Sequence, residues 1–216
     1  MNAALVPVTR LGEAKSRLAG ALRGAERDAL VLAMLRDVIG ALRAAPEVER
    51  VVVVTPDAEV ADAARGQGAE ALLRDDPGLN PAVDAAGAAL ASEGAHTLLV
   101  VLGDVAGARA EEISALYAAL AELGGRGAVL ARSDDGGTAA LLRAPPDAIA
   151  SRFGPESARR HAEAAAQAGV PLRALRLASL AVDLDRPEDL EALRRGAAPA
   201  PHTRALLARL GPEARP

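Results

Sequence analysis

Val51-Val52-Val53-Val54, followed by Thr55-Pro56-Asp57, decides the architecture. A run of four valines has no polar face, so this strand cannot lie half in water. A strand buried on both faces belongs inside a parallel sheet with helices above and below it. Thr55-Pro56-Asp57 opens the next helix, which ends near Gly66-Gln67-Gly68. Upstream, Leu5 to Val8 reads as another buried strand. A helix over about 25–45 joins the two strands, with Leu30, Met34, Leu35, Val38 and Leu42 on one face at helical spacing. Downstream come a short strand at Ala71-Leu72-Leu73, a helix from Pro81 to Glu93, and a strong strand from Thr97 to Leu102. A helix from Glu111 to Leu123 then leads to a strand at Ala128-Val129-Leu130. This alternation predicts an α/β fold, with a mostly parallel central sheet and helices on both faces.

After Leu130 the rhythm changes. Asp134-Asp135-Gly136-Gly137 is a turn leading to a strand at Ala139 to Leu142, and Phe153-Gly154-Pro155 precedes a helix from Glu156 to Ala168. Leu172 to Leu177 and Leu180 to Leu184 read as strands, and Pro187-Glu188-Asp189 starts a helix. No repeat or linker divides the chain. The expectation is one domain over 1–196 and a Pro/Ala-rich tail over 197–216, with a short helix from Thr203 to Leu210.

Half of the 216 residues are hydrophobic, enough for a sizeable core, but there is one Phe, one Tyr and no Trp. A bound base therefore cannot stack on tryptophan. The formal net charge of -4 argues against broad binding to nucleic acid. Absence of cysteine removes disulfides, thiolate metal sites and thiol catalysis. With no basic leader and no apolar run of bilayer length, the expectation is a soluble cytoplasmic protein with neither nucleic-acid nor membrane partners.

Ligands of open α/β sheets gather outside the carboxyl ends of the strands. Lys15 and Arg17 lie just behind the first strand, where cations suit the phosphates of a nucleotide, though a solvated basic turn has the same composition. No Walker sequence is present, which excludes a P-loop. Asp104 follows the strand ending at Leu102 and is either a ligand-edge acid or a loop cap. Asp183 and Asp185, two apart on an expected strand, would point to one side. The alternative for Asp185 is a capping pair with Glu188 behind Pro187, which leaves Asp183 unexplained. Three hard oxygen donors without His or Cys suit Mg2+ or Mn2+, with phosphates completing the coordination.

Gly78 and Asn80 offer a tight turn and an amide. Asn80 is either a reader of a base edge or a helix N-cap. Thr138, in Gly136-Gly137-Thr138, and Gly154 and Ser157, in Gly154-Pro155-Glu156-Ser157, combine hydroxyls with a helix start. They form either an anion pocket or an ordinary hairpin and cap. His161 reads as a surface or capping residue.

The order of these motifs resembles the guanylyltransferases of deazaflavin coenzyme F-420 biosynthesis, which act on 2-phospho-L-lactate or phosphoenolpyruvate. The likeness runs from Val6 to about Leu193. It rests on Val6-Pro7-Val8 with Ala14-Lys15-Ser16-Arg17-Leu18, Ala33-Met34-Leu35-Arg36-Asp37-Val38, Gly78-Leu79-Asn80, Pro145 to Ile149, Phe153-Gly154-Pro155, and Asp183-Leu184-Asp185 with Pro187 to Leu190. The resemblance implies a GT-A-like nucleotidyltransferase fold. It implies attack of an acceptor phosphate oxygen on the α-phosphate of GTP, departure of pyrophosphate, and a labile product passed to the next pathway enzyme. It implies Asp104, Asp183 and Asp185 as metal ligands and Lys15 and Arg17 as the basic nucleotide loop, with Lys15, Arg17 and Asp104 carrying the chemistry. It implies Thr138, Gly154 and Ser157 as the acceptor site. Such a transfer needs metal, cations and in-line positioning more than a base, because a phosphate acceptor is already an anion.

The chain departs from the family pattern at four places. Thr9 stands for the usual Lys, Leu102-Gly103-Asp104-Val105-Ala106 for Pro-Ala-Asp-Leu-Pro, Ala139 for Asn, and Glu156 for Gly. An inward-facing Glu156 would repel an acidic acceptor by about 4 kcal/mol at ~4 Å in a near-surface dielectric. An outward-facing one would be harmless. These departures leave two alternatives: a non-catalytic nucleotide- or metabolite-binding relative, or a nucleotidyltransferase for another phosphorylated acceptor.

Overall fold

The computed structural model describes residues 1–75, 77–181, 184–196 and 199–211. Its first five strands are β1 (Asn2–Pro7), β2 (Arg50–Thr55), β3 (Glu70–Leu73), β4 (Thr97–Val101) and β5 (Gly127–Arg132). Between them run the helices α1 (Gly24–Ala44), α2 (Ala58–Gly66), α3 (Leu79–Ser92) and α4 (Ala110–Glu122). Then follow β6 (Thr138–Ala144), α5 (Ser157–Ala168), β7 (Leu172–Leu175), α6 (Pro187–Arg195) and α7 (Pro201–Leu210).

The strands form one sheet in the order β3-β2-β1-β4-β6-β5-β7. The valine run is β2, buried on both faces and paired in parallel with β1 and β3. β1 also pairs in parallel with β4, as does β5 with β7. The exception is β6, antiparallel to both β4 and β5 and inserted between them. The reversal follows from the turn after β5. The Asp135 carboxylate accepts hydrogen bonds from Ser133 Oγ (2.5 Å) and Gly137 N (2.8 Å), and Gly136 takes φ 87°, so the chain folds straight back. These bonds hold the Asp135 carboxyl below the usual carboxylate range. β6 therefore begins, rather than ends, at the edge where the parallel strands finish.

Two apolar layers hold the sheet. On one face α1 buries Leu30, Met34, Leu35, Val38 and Leu42, joined by side chains of α2, α4, α6 and α7. On the other, α3 (Val83, Ala86, Leu90) and α5 (Ala158, Ala165) pack with Ile149 and Phe153. The short helix expected in the tail is α7, two residues longer at its start and packed on α1. Asp37, 6% exposed on α1, accepts from His202 N (2.9 Å), Thr203 N (2.8 Å) and Thr203 Oγ1 (2.7 Å), capping the new helix from its neighbour. Among the described residues no helix is long and apolar enough to cross a membrane.

The expected strand at Leu180 to Leu184 is not one in its described part. Leu180 and Leu184 are buried, but isolated bonds tie the segment across the sheet edge. Asp134 N donates to the Ala181 carbonyl (2.9 Å), and Leu184 N donates to the Asp104 carbonyl (3.3 Å). The apolar spacing here reflects burial of Leu180 and Leu184 in the layer that α1 covers. Asp183, one of the expected metal ligands, lies outside the described residues.

Candidate active site

β1 delivers the chain to the carboxyl edge, and side chains from two other segments anchor the loop that follows. Leu11 N donates to Asp57 Oδ2 (3.0 Å) and Gly12 N to Asp28 Oδ1 (2.7 Å). Lys15 then adopts the left-handed conformation (φ 56°, ψ 38°) ahead of the short turn Ser16–Leu18, which buries Leu18 fully. That conformation costs a non-glycine residue roughly 1–2 kcal/mol, so packing must hold it. The result aims Lys15 inward. Its side chain is 7% exposed, with Nζ 2.8 Å from Asp104 Oδ2 and 3.4 Å from Asp185 Oδ1. Arg17 stays outside, 68% exposed, with Nη1 2.5 Å from Asp185 Oδ2.

Residues 15, 17, 104 and 185 thus meet from three distant parts of the chain. Asp104 Oδ1 is buried with no hydrogen-bond partner among the described residues. The alternative for Asp185, a capping pair with Glu188, is not what forms. Asp189 accepts from Asp185 N (3.0 Å) and Arg186 N (2.7 Å), with Pro187 in the first turn of α6. The Asp185 carboxylate is left to the cations. Among the described residues no three acidic, histidine or cysteine side chains converge as a metal-binding group.

A cleft at the carboxyl ends of β1, β2 and β3 is lined by Val8, Thr9, Thr55, Arg74, Asp75 and Leu79. Gly78 stands at its rim with φ 95°, at the N-cap of α3. Asn80 is neither that cap nor turned to a base edge. Its Oδ1 accepts from Phe153 N (2.7 Å) and its Nδ2 donates to Phe153 O (3.1 Å), pinning α3 to the segment before α5.

Thr138 and Ser157 are 2% and 1% exposed, and the segments that carry them are joined by Ala158 N, which donates to Gly136 O (3.4 Å). Glu156 takes the left-handed conformation (φ 52°), which Gly would adopt freely, and its carboxylate points out. The side chain is 69% exposed and 2.6 Å from Arg159, which holds its carboxyl below the usual range. Gly154 has φ 112°, and a side chain there would meet Arg160 Nη2 at 3.1 Å.

His161 corrects the expectation of a surface residue: it is fully buried. Its Nε2 accepts from Arg152 N (2.8 Å), so in the neutral ring Nδ1 carries the hydrogen and faces Thr138 Oγ1 at 3.1 Å. Burial, then the nearby Arg143 and Arg160 cations, push its pKa down to about 4. Its ring meets Phe153 edge-on at 5.1 Å. The four-residue spacing from Ser157, which puts both on one helix face, was the available signal.

An α/β sheet with cations and carboxylates gathered at its carboxyl edge has the fold of solved nucleotidyltransferases. A protein from Desulfovibrio desulfuricans G20 described as a nucleotide-diphospho-sugar transferase superposes with a TM-score of 0.74 at 17% identity, over 97% of this chain and 95% of its own. CMP:2-keto-3-deoxy-manno-octonic acid synthetase complexed with CTP gives 0.62 at 15% identity, over 98% and 100%.

The chain belongs to the family described as guanylyl transferase CofC-like, which it matches over residues 2–213. It is 49% identical to the phosphoenolpyruvate guanylyltransferase of Sphaerobacter thermophilus, over 88% of this chain and 91% of that one. Its identity to the protein of that name from Rubrobacter xylanophilus is 41%, over 88% and 92%. Against the 3-phospho-D-glycerate guanylyltransferase of Phenylobacterium zucineum it is 40%, over 85% of each.

Proposed function

We propose that this protein is a cytoplasmic guanylyltransferase that transfers GMP from GTP to phosphoenolpyruvate and releases pyrophosphate, in deazaflavin coenzyme F-420 biosynthesis. The observation that carries this reading is the cluster of Lys15, Arg17, Asp104 and Asp185 at the carboxyl edge of the sheet. Lys15 and Arg17 bind the phosphates, with the Gly78 turn beside the nucleoside.

Asp104 and Asp185, with Asp183, are the ligands proposed for Mg2+ or Mn2+. The buried Asp104 Oδ1, without a hydrogen-bond donor among the described residues, fits that role, because a hard carboxylate oxygen left open in this way can ligate a hard cation. Such an ion, when bound, would neutralise phosphate charge. Thr138, Gly154 and Ser157 receive the acceptor, and its own phosphate oxygen, already anionic, needs no protein base. The outward Glu156 leaves that pocket without the repulsion its sequence position suggested. The product then passes to the next enzyme of the pathway.

The test is pyrophosphate release from GTP with phosphoenolpyruvate, 2-phospho-L-lactate and 3-phospho-D-glycerate, each with and without Mg2+ or Mn2+. Turnover with phosphoenolpyruvate above the other acceptors is the expected result. Folded protein that releases no pyrophosphate with any of them would sink the reading.

A further inference from the structure

The cleft at the ends of β1, β2 and β3 has apolar walls, including Val8, Val54 and Leu79, and few groups able to read a base. Asn80 is committed to the Phe153 backbone through both amide atoms. Thr55 is 1% exposed, and its Oγ1 accepts from Asp57 N at 3.1 Å. Two charged side chains remain in the lining, Arg74 and Asp75. Arg74 N donates to Thr55 O (3.0 Å), one step beyond β3, so Asp75 is the first residue past the last ladder bond. Its side chain is exposed in the cleft and makes no hydrogen bond or ion pair with any described residue.

We propose that Asp75 selects guanine, its two carboxylate oxygens accepting the N1–H and N2–H of the base. This inference rests on the guanylyltransferase reading and deepens it.

An ionised carboxylate only accepts, through two oxygens side by side. It therefore needs a ligand edge with two adjacent donors, the arrangement that makes arginine–carboxylate pairs bidentate. On its Watson–Crick edge guanine presents N1–H beside the N2 amino group. Adenine offers one donor beside the bare N1, and cytosine one donor beside the bare N3. Uracil sets its single N3–H between two carbonyls that would face the carboxylate. Of the four bases guanine alone matches.

The placement also suits the rest of the nucleotide. Thr9 lines the cleft, and the same segment runs on to Lys15 and Arg17, so a base beside Asp75 leaves its phosphates toward those cations.

The experiment is calorimetric titration of the folded protein and of Asp75→Asn with GTP, ITP and XTP, together with pyrophosphate release under the same conditions. Hypoxanthine lacks the N2 amino group, and xanthine replaces it with a carbonyl. The unmodified protein should bind GTP on the order of tenfold or more above ITP and XTP, the loss expected when a charge-assisted hydrogen bond is removed. Asn turns one acceptor into a donor, so Asp75→Asn should weaken GTP on the order of a hundredfold and rank XTP first.

An unchanged ranking in Asp75→Asn overturns the proposal. So does a switch produced by the neighbouring Asp76→Asn instead, or failure of the unmodified protein to distinguish the three nucleotides. Base-selective binding without pyrophosphate release with any acceptor would keep Asp75 as the reader and reject the transferase reading. Circular dichroism of Asp75→Asn separates loss of recognition from loss of fold.

Discussion

Lowering the pH places a proton on His161 only at a cost, and that cost can be worked out from its surroundings. Nε2 is occupied by the Arg152 N–H and Nδ1 by the Thr138 hydroxyl, the ring is buried, and Arg143 and Arg160 are close. Protonating Nε2 would break the bond from Arg152 and add a cation to a site already flanked by two. The pKa falls from 6.5 to about 4. In the unfolded chain the ring titrates normally, so between these values the unfolded state binds more protons. Stability is complete above pH 6.5 and is lost as pH falls toward 4. At about 1.4 kcal/mol per unit the full loss is about 3 kcal/mol, and about 2 kcal/mol of it is gone by about pH 5. That is a large share of a typical stability of about 5–15 kcal/mol.

The assay is urea unfolding at several pH values for the unmodified protein and for His161→Gln, whose side-chain oxygen can still accept from Arg152 N. The carboxylates contribute equally to both proteins, so the difference between the two curves isolates the imidazole. His161→Gln should be less stable at neutral pH and flatter on acidification. Parallel curves would refute the reasoning.

Three further outcomes are expected. Asp37→Ala removes three hydrogen bonds from the start of α7 and should lower unfolding stability by roughly 3 kcal/mol, measured by urea titration, with no such loss if 201–210 does not pack on α1. Glu156→Gly should leave the KM for phosphoenolpyruvate within about twofold, since an exposed ion pair contributes little; a tenfold fall would place the carboxylate at the acceptor. Lys15→Met should reduce kcat/KM for GTP on the order of a hundredfold, read by pyrophosphate release, whereas a near-normal value would remove Lys15 from the phosphate site.

The fold was legible wherever burial on both sides left one solution. The valine run had to be an interior parallel strand, and the helix carrying Leu30 to Leu42 had to cover it. The reversal of β6 was less visible, because a turn such as Asp134 to Gly137 fixes local direction but not which strands accept the newcomer. Leu180-Ala181 and Leu184, the described part of an expected strand, misled for a related reason: their apolar spacing records burial in the helix-covered layer, and a strand needs a partner ladder as well. At the site, the meeting of Lys15, Arg17, Asp104 and Asp185 followed from the rule that ligands gather beyond strand ends. Amide and imidazole orientations did not follow from it. Asn80 and His161 are engaged by the backbone of 152–153, a pairing set by tertiary packing that local sequence does not encode.

The pairing of Lys15 and Arg17 with Asp104 and Asp185 bears on how an anion first finds this surface. At close range, two cations facing two carboxylates offer nearly cancelling fields, and the chain as a whole carries a charge of -4. A multiply charged nucleotide approaching from beyond about 8 Å, the screening distance at physiological salt, meets no attraction to guide it. Capture must then begin at contact, when the nucleotide draws Lys15 and Arg17 away from their carboxylate partners. Added salt, which slows encounters between opposite charges, would not slow this one, since the charge it screens is a net repulsion.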